Sequence, residues 1–233
     1  MKNDQNTKHT EYNELERIVI LRFFVALIIL SAMFFLSAGT ILYWEAWIYL
    51  AIIFIPMGFV LSYFLQHDPE LIERRMRVKE RVTEQKLIIK IGVIFFLIAY
   101  LLPGLDKRYG WSDVPVIMTI IADIFVFLGY LLFIRVLKEN RYASRIIEVE
   151  QNQQLITTGI YAHIRHPMYA AVVLMYISGP IALGSYWALL PIIIIVVILI
   201  LRILNEEKVL NEQLTGYREY IQKVRYRLIP GIW

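Results

Sequence analysis

The sequence predicts an all-α, polytopic membrane protein with about six transmembrane helices, the last two forming a helical hairpin, plus cytoplasmic amphipathic helices. Three observations lead there. The 233 residues are 58% hydrophobic and only 19% charged, with a mean hydropathy of +0.57, whereas soluble domains run about 45–50% apolar and about 25% charged. The apolar residues are gathered into long runs, ten in succession from Ile192 to Leu201 among them, and about 20 mostly apolar residues suffice to cross a hydrocarbon core about 30 Å thick. Threading the chain through those runs leaves 21 of its 24 Lys and Arg residues on one face, which is the charge asymmetry of a multi-pass protein.

The elements follow in order. Residues 1–17 form a polar cytoplasmic segment. The first span is Ile18–Ala38. It is read as retained rather than as a cleaved signal peptide: its leader mixes acids with bases, Arg22 interrupts the early apolar run, and further spans follow. The second span is Ala46–Leu65. A basic interfacial segment, residues 66–86, comes next. There Asp68-Pro69 supplies an N-cap and a first-turn proline, and Leu71, Val78 and Val82 recur among Arg74, Arg75, Arg77 and Arg81; a basic helix lying on the membrane surface is expected. Leu87–Leu105 and Val114–Ile134 are the third and fourth spans. The fifth apolar stretch, Pro167–Leu201, would reach about 52 Å as a single helix, too far for one crossing. Gly179-Pro180 and Gly184-Ser185 punctuate its middle, which divides it into Pro167–Ile181 and Tyr186–Leu201.

With six spans both termini share one side. That side holds four basic residues before the second span, six from Arg74 to Lys86, five from Arg135 to Arg165 and six from Arg202 onward. The expectation is a multi-pass protein of a bacterial cell membrane with both termini cytoplasmic, its basic surplus a topology signal reinforced by anionic headgroups rather than a sign of nucleic acid binding. Trp44, Trp47, Trp111 and Trp187 fall at span ends on the opposite side, where indole rings prefer to lie. The absence of cysteine excludes a disulfide scaffold, thiolate metal centres and a cysteine nucleophile. No metal partner is expected. Asp123 in the fourth span should face the bundle, with Lys90 as its candidate partner.

The chemistry gathers in the cytoplasmic segments. Pro167 suits the first turn of a helix, so Arg165 and His166 sit at its mouth with Tyr169 one turn inside. Free N–H groups and the positive dipole end there favour an anion, although the same pair could equally anchor a helix end to headgroups. Arg202, Glu206 and Glu207 leave the membrane at the end of the second arm, with Arg202 and Glu206 on one helical face. A hairpin returns its two ends to one side, so the Arg165-His166-Tyr169 and Arg202-Glu206 groups are expected to meet. Leu210, Leu214, Tyr217, Ile221 and Val224 follow at spacings of 4, 3, 4 and 3, the stripe of an amphipathic C-terminal helix covering that mouth. Charges of both signs beside apolar walls suit a zwitterionic ligand with an apolar partner.

These residues resemble the isoprenylcysteine carboxyl methyltransferase family. The resemblance rests on Leu155-x₃-Gly159-x-Tyr161-x₃-Arg165-His166-Pro167-x-Tyr169, then Arg202-x₃-Glu206-Glu207, Tyr217-x₂-Tyr220 and Ile229-Pro230. It covers the C-terminal half in motif detail, residues 135–233 forming a methyltransferase-like region, and the whole chain in topology. It implies an integral membrane methyltransferase using S-adenosylmethionine on a lipophilic acceptor from the bilayer, most closely the carboxylate of a prenylcysteine-like substrate. By motif position Gln153, Gln154, Leu155, Ile156, Tyr161, His166, Pro167, Met168 and Tyr169 would line the cofactor. Glu206 would hold its ammonium, and Arg202, with Arg165, would face the methyl acceptor. The chain departs from the family at Gln153, where a histidine is common, and at Ile146, near where a cofactor-contacting glutamine is looked for. An acceptor carboxylate is already anionic and needs no base, whereas an amine or hydroxyl would call on His166 or Glu207. Phospholipid N-methylation, a sterol-reductase-like activity using NADPH, and a non-enzymatic transporter are the alternatives; the last conflicts with polar groups collected at one surface instead of along the midplane.

Overall fold

The computed structural model describes residues 2–76, 83–143, 146, 149 and 153–233. Among them every regular element is helical: α1 (Lys2–Ala38), α2 (Trp44–His67), α3 (Pro69–Met76), α4 (Thr83–Tyr109), α5 (Val116–Glu139), a 3-10 turn (Gly159–Ala162), α6 (Pro167–Ala182), α7 (Leu189–Gln213) and α8 (Tyr217–Lys223). Five helices are long and apolar enough to cross a bilayer, and α6 is a shorter apolar helix. The chain is a multi-pass membrane protein.

The helices overrun the expected spans wherever nothing stops them. No glycine or proline interrupts residues 2–38, so α1 starts at Lys2 rather than at residue 18 and ends only at Gly39, whose φ of +66° suits a glycine past a helix end. Likewise α4 continues to Tyr109 and α5 to Glu139. In the hairpin, Pro180 is accommodated inside the last turns of α6; the chain reverses at residues 183–188, with Gly184 at φ +72°. The second arm begins at Leu189 and runs on through the charged residues to Gln213. The single amphipathic helix expected over Leu210–Val224 is broken: α7 stops, Gly216 adopts φ +83°, and α8 starts afresh at Tyr217. Its apolar stripe nevertheless stays together, since Leu214, Tyr217, Tyr220 and Val224 pack as one cluster with Leu155 and Leu210.

Three reversals meet at one end of the bundle. Tyr43 donates its hydroxyl to the carbonyl of Leu183, Ser185 donates to Asp106, the Tyr186 N–H donates to Ser112 Oγ at 3.1 Å, and Lys107 pairs with Glu45 at 2.8 Å. Loops 39–43, 110–115 and 183–188 therefore lie on a common face, and both chain ends on the other. Trp47, Trp111 and Trp187 stand exposed on the loop face, as an interfacial belt requires.

Between helices, close packing replaces the hydrophobic effect, which lipid does not supply. Small residues do this: a Cβ at Gly104 would overlap Ser37 of α1, and one at Gly129 of α5 would press on Met175 and Ala171 of α6. The main core gathers Phe34, Tyr43, Tyr49, Tyr100, Val126, Ile192 and Ile195 with Ala38, Ala46, Ala99, Ala122 and Ala182. Leu and Ile side chains exposed around the outside, such as Ile28 and Ile117, face lipid.

Two other expectations are corrected. Asp68 caps α3 through the Leu71 N–H at 3.2 Å, yet Leu71 and Ile72 are buried against Val19, Phe64, Leu65 and Leu137. The helix turns its apolar side into protein, because α1 and α2 overrun the membrane and offer it a wall; Val78 and Val82 lie outside the described residues. Asp123 is buried with Oδ1 lacking a hydrogen-bond partner among the described residues, while Lys90 is exposed on α4. Since α4 packs on α1 and α7 rather than on α5, the Lys90–Asp123 pair does not form.

Candidate active site

The wall of the site begins where α5 ends. Asn140 closes α5 and its side chain donates to the Tyr161 hydroxyl at 2.9 Å. Glu139 accepts the Ile160 N–H at 2.9 Å. The turn that carries Tyr161 is thereby stapled to α5, and Gly159, at φ +60°, has no room for a Cβ because the Glu139 carboxylate fills it. Tyr220 of α8 donates to the Tyr161 carbonyl at 2.7 Å, fixing the turn from the other side.

His166 is the N-cap of α6 and Pro167 its first residue, the position where a missing N–H costs nothing. No side chain caps this end among the described residues. The Arg165 and His166 N–H groups instead donate to the carbonyls of Tyr226 and Arg227, both at 2.9 Å. The tail of the chain is thus tied to the start of α6.

Charge is concentrated between α6 and α7. Glu207 is buried, and two arginines and a histidine surround it. Arg165 Nε lies 2.9 Å from Oε1 as an ion contact without an aligned N–H, His166 Nε2 is 3.2 Å from Oε1, and Arg227 Nε donates to Oε2 at 2.9 Å. Glu206, one residue earlier, faces elsewhere. It accepts the Tyr169 hydroxyl at 2.6 Å, and Arg202 Nε donates to the same hydroxyl at 3.1 Å. Adjacent carboxylates on one helix are therefore separated in role: Glu207 is neutralised by arginines, and Glu206 lies at the edge of open space, its Oε1 3.9 Å from His166 Nδ1.

That space is a cavity of about 760 Å³, within the size range of small-molecule sites. The residues that the resemblance assigns to cofactor and acceptor all line it: Gln153, Gln154, Leu155, Ile156, Tyr161, Arg165, His166, Pro167, Met168, Tyr169, Arg202 and Glu206, whereas Glu207 does not. It continues from this polar end between Ile89, Val93 and Phe96 of α4, Val172 and Tyr176 of α6, and Ile195 and Leu199 of α7, so one hollow is ionic at one end and apolar at the other. Ile146 is also on the wall. Burial pushes the Tyr161 phenol up to about 12; the Asn140 bond pulls the other way, and the Glu206 and Glu139 carboxylates add to the rise. Burial likewise raises Tyr217 and Tyr220. All three stay protonated at neutral pH and act as neutral hydroxyls.

Sequence reasoning passed over several lining residues. Asn140 carries the signal of a helix C-terminus and nothing more. Tyr217 and Tyr220 enter the sequence reading as a motif pair, and Tyr217 also as part of an apolar stripe, with no role at the site assigned to either. Arg75 sits in a basic run read as facing headgroups; here its guanidinium approaches Met168 Sδ at 3.3 Å and lies 5.2 Å from the Phe133 ring, and no spacing marks it out. Arg227 is not on the cavity wall, and no sequence signal marks its contact with Glu207.

Residues 118–212 match the model of the isoprenylcysteine carboxyl methyltransferase (ICMT) family, one of membrane methyltransferases. That stretch takes in nearly all of α5, the 3-10 turn, α6 and nearly all of α7, and with them the cavity residues from Asn140 to Glu206, while Arg75, Tyr217, Tyr220 and Arg227 lie outside it. No curated protein matches the chain.

Proposed function

We propose, from the premise that the chain belongs through residues 118–212 to the isoprenylcysteine carboxyl methyltransferase family, that it transfers a methyl group from S-adenosylmethionine to a lipophilic carboxylate such as that of a prenylcysteine. One observation carries the reading: Tyr169 joins Arg202 to Glu206 at the boundary between the ionic and apolar ends of a single cavity.

The donor set fits the cofactor. The hydroxyl of Tyr217 is buried on the cavity wall with no hydrogen-bond partner among the described residues, an orphan that a ligand can satisfy. Met168 and Tyr169 offer the uncapped N–H groups of a helix start to a carboxylate, and Glu206 offers an acceptor for an ammonium. When bound, S-adenosylmethionine supplies a methyl group on a positively charged sulfur. Glu206 then holds the amino-acid end, His166 and the first turn of α6 hold its carboxylate, and Gln153 to Ile156 with Tyr161 enclose the rest. Arg202, reaching the same hydroxyl from the apolar side, orients the acceptor carboxylate. That group is anionic at neutral pH, so no base is required. The apolar walls of α4, α6 and α7 receive the lipid tail and keep water out; positioning and dryness are what a displacement of this kind needs. The positive-inside count supports a cytoplasmic position for the ionic end and both termini.

Calorimetric titration of the detergent-solubilised chain with S-adenosylmethionine tests the donor. Binding by the wild type and its loss in Glu206→Ala are expected; no heat from the wild type refutes the reading. Incubation of membranes with labelled donor tests the acceptor. An alkali-labile methyl ester is expected, and an alkali-stable label would point to N-methylation instead.

A further inference from the structure

Outside the cavity, a second group of residues has no role in methyl transfer. The α6 helix has 16 residues, about 24 Å of rise, less than the hydrocarbon thickness of about 30 Å. Its far end adjoins the loop face, where Trp187 and Trp111 are 53% and 50% exposed and mark one interface. The start of α6 therefore lies no farther out than the headgroup layer of the other leaflet. Residues 226–227 are hydrogen-bonded to that start through Arg165 and His166, so the closing turn of the chain is held at headgroup depth.

This turn is built to meet a bilayer. Gly231, at φ +83°, folds it so that the Trp233 N–H donates to the Ile229 carbonyl at 3.2 Å. Ile229 and Ile232 project from it, Ile232 being 77% exposed. Beside them a hollow of about 330 Å³ is lined by His163, Lys223, Arg225, Tyr226 and Pro230. Lys223 and Arg225 pair with no carboxylate among the described residues. No acidic side chain lines the hollow, so nothing in it can hold the ammonium of a zwitterionic headgroup, while two unpaired cations can hold a phosphate.

We propose that this hollow and turn are a seat for an anionic phospholipid of the surrounding bilayer. The phosphate sits between Lys223 and Arg225, and Ile229 and Ile232 lie among the first methylenes of the acyl chains. The seat fastens the tail whose Tyr226 and Arg227 carbonyls hold the backbone of Arg165 and His166. It does not depend on what the cavity binds.

The test uses the full chain in neutral detergent, titrated separately with phosphatidylglycerol, phosphatidylcholine and inorganic phosphate, and reads retained lipid by native mass spectrometry. The wild type is expected to retain phosphatidylglycerol over phosphatidylcholine. The exposed double variant Lys223→Gln/Arg225→Gln is expected to lose about tenfold or more of that preference. Ile232→Ser, leaving both cations in place, is expected to weaken retention while keeping the preference. Equal retention of the two lipids by the wild type, an unchanged preference in the double variant, or displacement of phosphatidylglycerol by inorganic phosphate would each overturn the proposal.

Discussion

Glu207→Gln is the most informative single change, because it keeps the side chain's shape and removes only its charge. In the native chain that carboxylate is 6% exposed and meets Arg165, His166 and Arg227 at 2.9, 3.2 and 2.9 Å. Arg165 is the partner that decides the cost, since its side chain is only 4% exposed. Arg227, at 28%, can turn to water and contributes less. Removing one partner of a buried ion pair costs about 3–5 kcal/mol, mostly from the stranded charge. The glutamine oxygen still accepts one hydrogen bond, so the lower end applies, about 3 kcal/mol. For a chain of this size each kcal/mol lowers Tm by roughly 2–4 °C, which gives a fall of about 6–12 °C. Tryptophan-fluorescence melting in detergent measures it. A double-mutant cycle with Arg227→Gln should show coupling of about 1 kcal/mol, the pair costing less than the sum of the singles. A Glu207→Gln protein that melts within about 2 °C of wild type would refute the reasoning, because it would mean the arginines are neutralised by something else.

Two further changes test how the site is held. Gly159→Ala forces a side chain against the Glu139 carboxylate at a left-handed backbone position, so the Glu139–Ile160 bond should break at a cost of about 2 kcal/mol; faster proteolysis near Tyr161, with melting of the bundle less affected, would be seen. Gly129→Leu drives α5 from α6, where a Cβ would already stand 2.7 Å from Met175 Cγ. Overpacking of about 1–3 kcal/mol or more is expected, read as a lower Tm in detergent with α-helical circular dichroism unchanged.

What could be read from the sequence divides along a physical line. Spans were legible because insertion into lipid is decided by the summed apolarity of a run, which single charges such as Arg22, Lys90 and Asp123 do not cancel. Their ends were not, because outside the hydrocarbon a helix continues until a breaker stops it, as α1 and α7 show. The turn of the hairpin was half legible: Gly184 makes it, while the equally suggestive Gly179-Pro180 stays helical, with Tyr49 packed against Gly179. Residues 210–224 announced an apolar stripe, but Gly216 breaks the helix without interrupting the stripe, so periodicity alone could not expose the break. For the cavity, the side chains that sit next to each other on one helix face or flank a helix start were accessible to reasoning. Arg75 and Asn140 reach it from separate segments, and only the tertiary fold brings them in.

The meeting of charges across the hairpin follows from helix lengths. From the turn at 183–188, α6 descends 16 residues to Pro167. Sixteen residues into α7 is Leu204, at the same depth because both rise 1.5 Å per residue. Arg202, Glu206 and Glu207 straddle that level, which is why they meet Tyr169 and His166 at the start of α6. On α7, residues four apart share a face and neighbours are turned by about 100°. Arg202 and Glu206 thus look together toward Tyr169 and the cavity, while Glu207 is rotated toward Arg165 and the tail. The acidic pair in the sequence is one structural clamp and one candidate ligand, and helical geometry alone assigns which is which. Because α6 is too short to carry its start clear of the headgroups, the proposed function sets the ionic end of the cavity at headgroup depth, with the apolar walls of α4 and α7 leading from it.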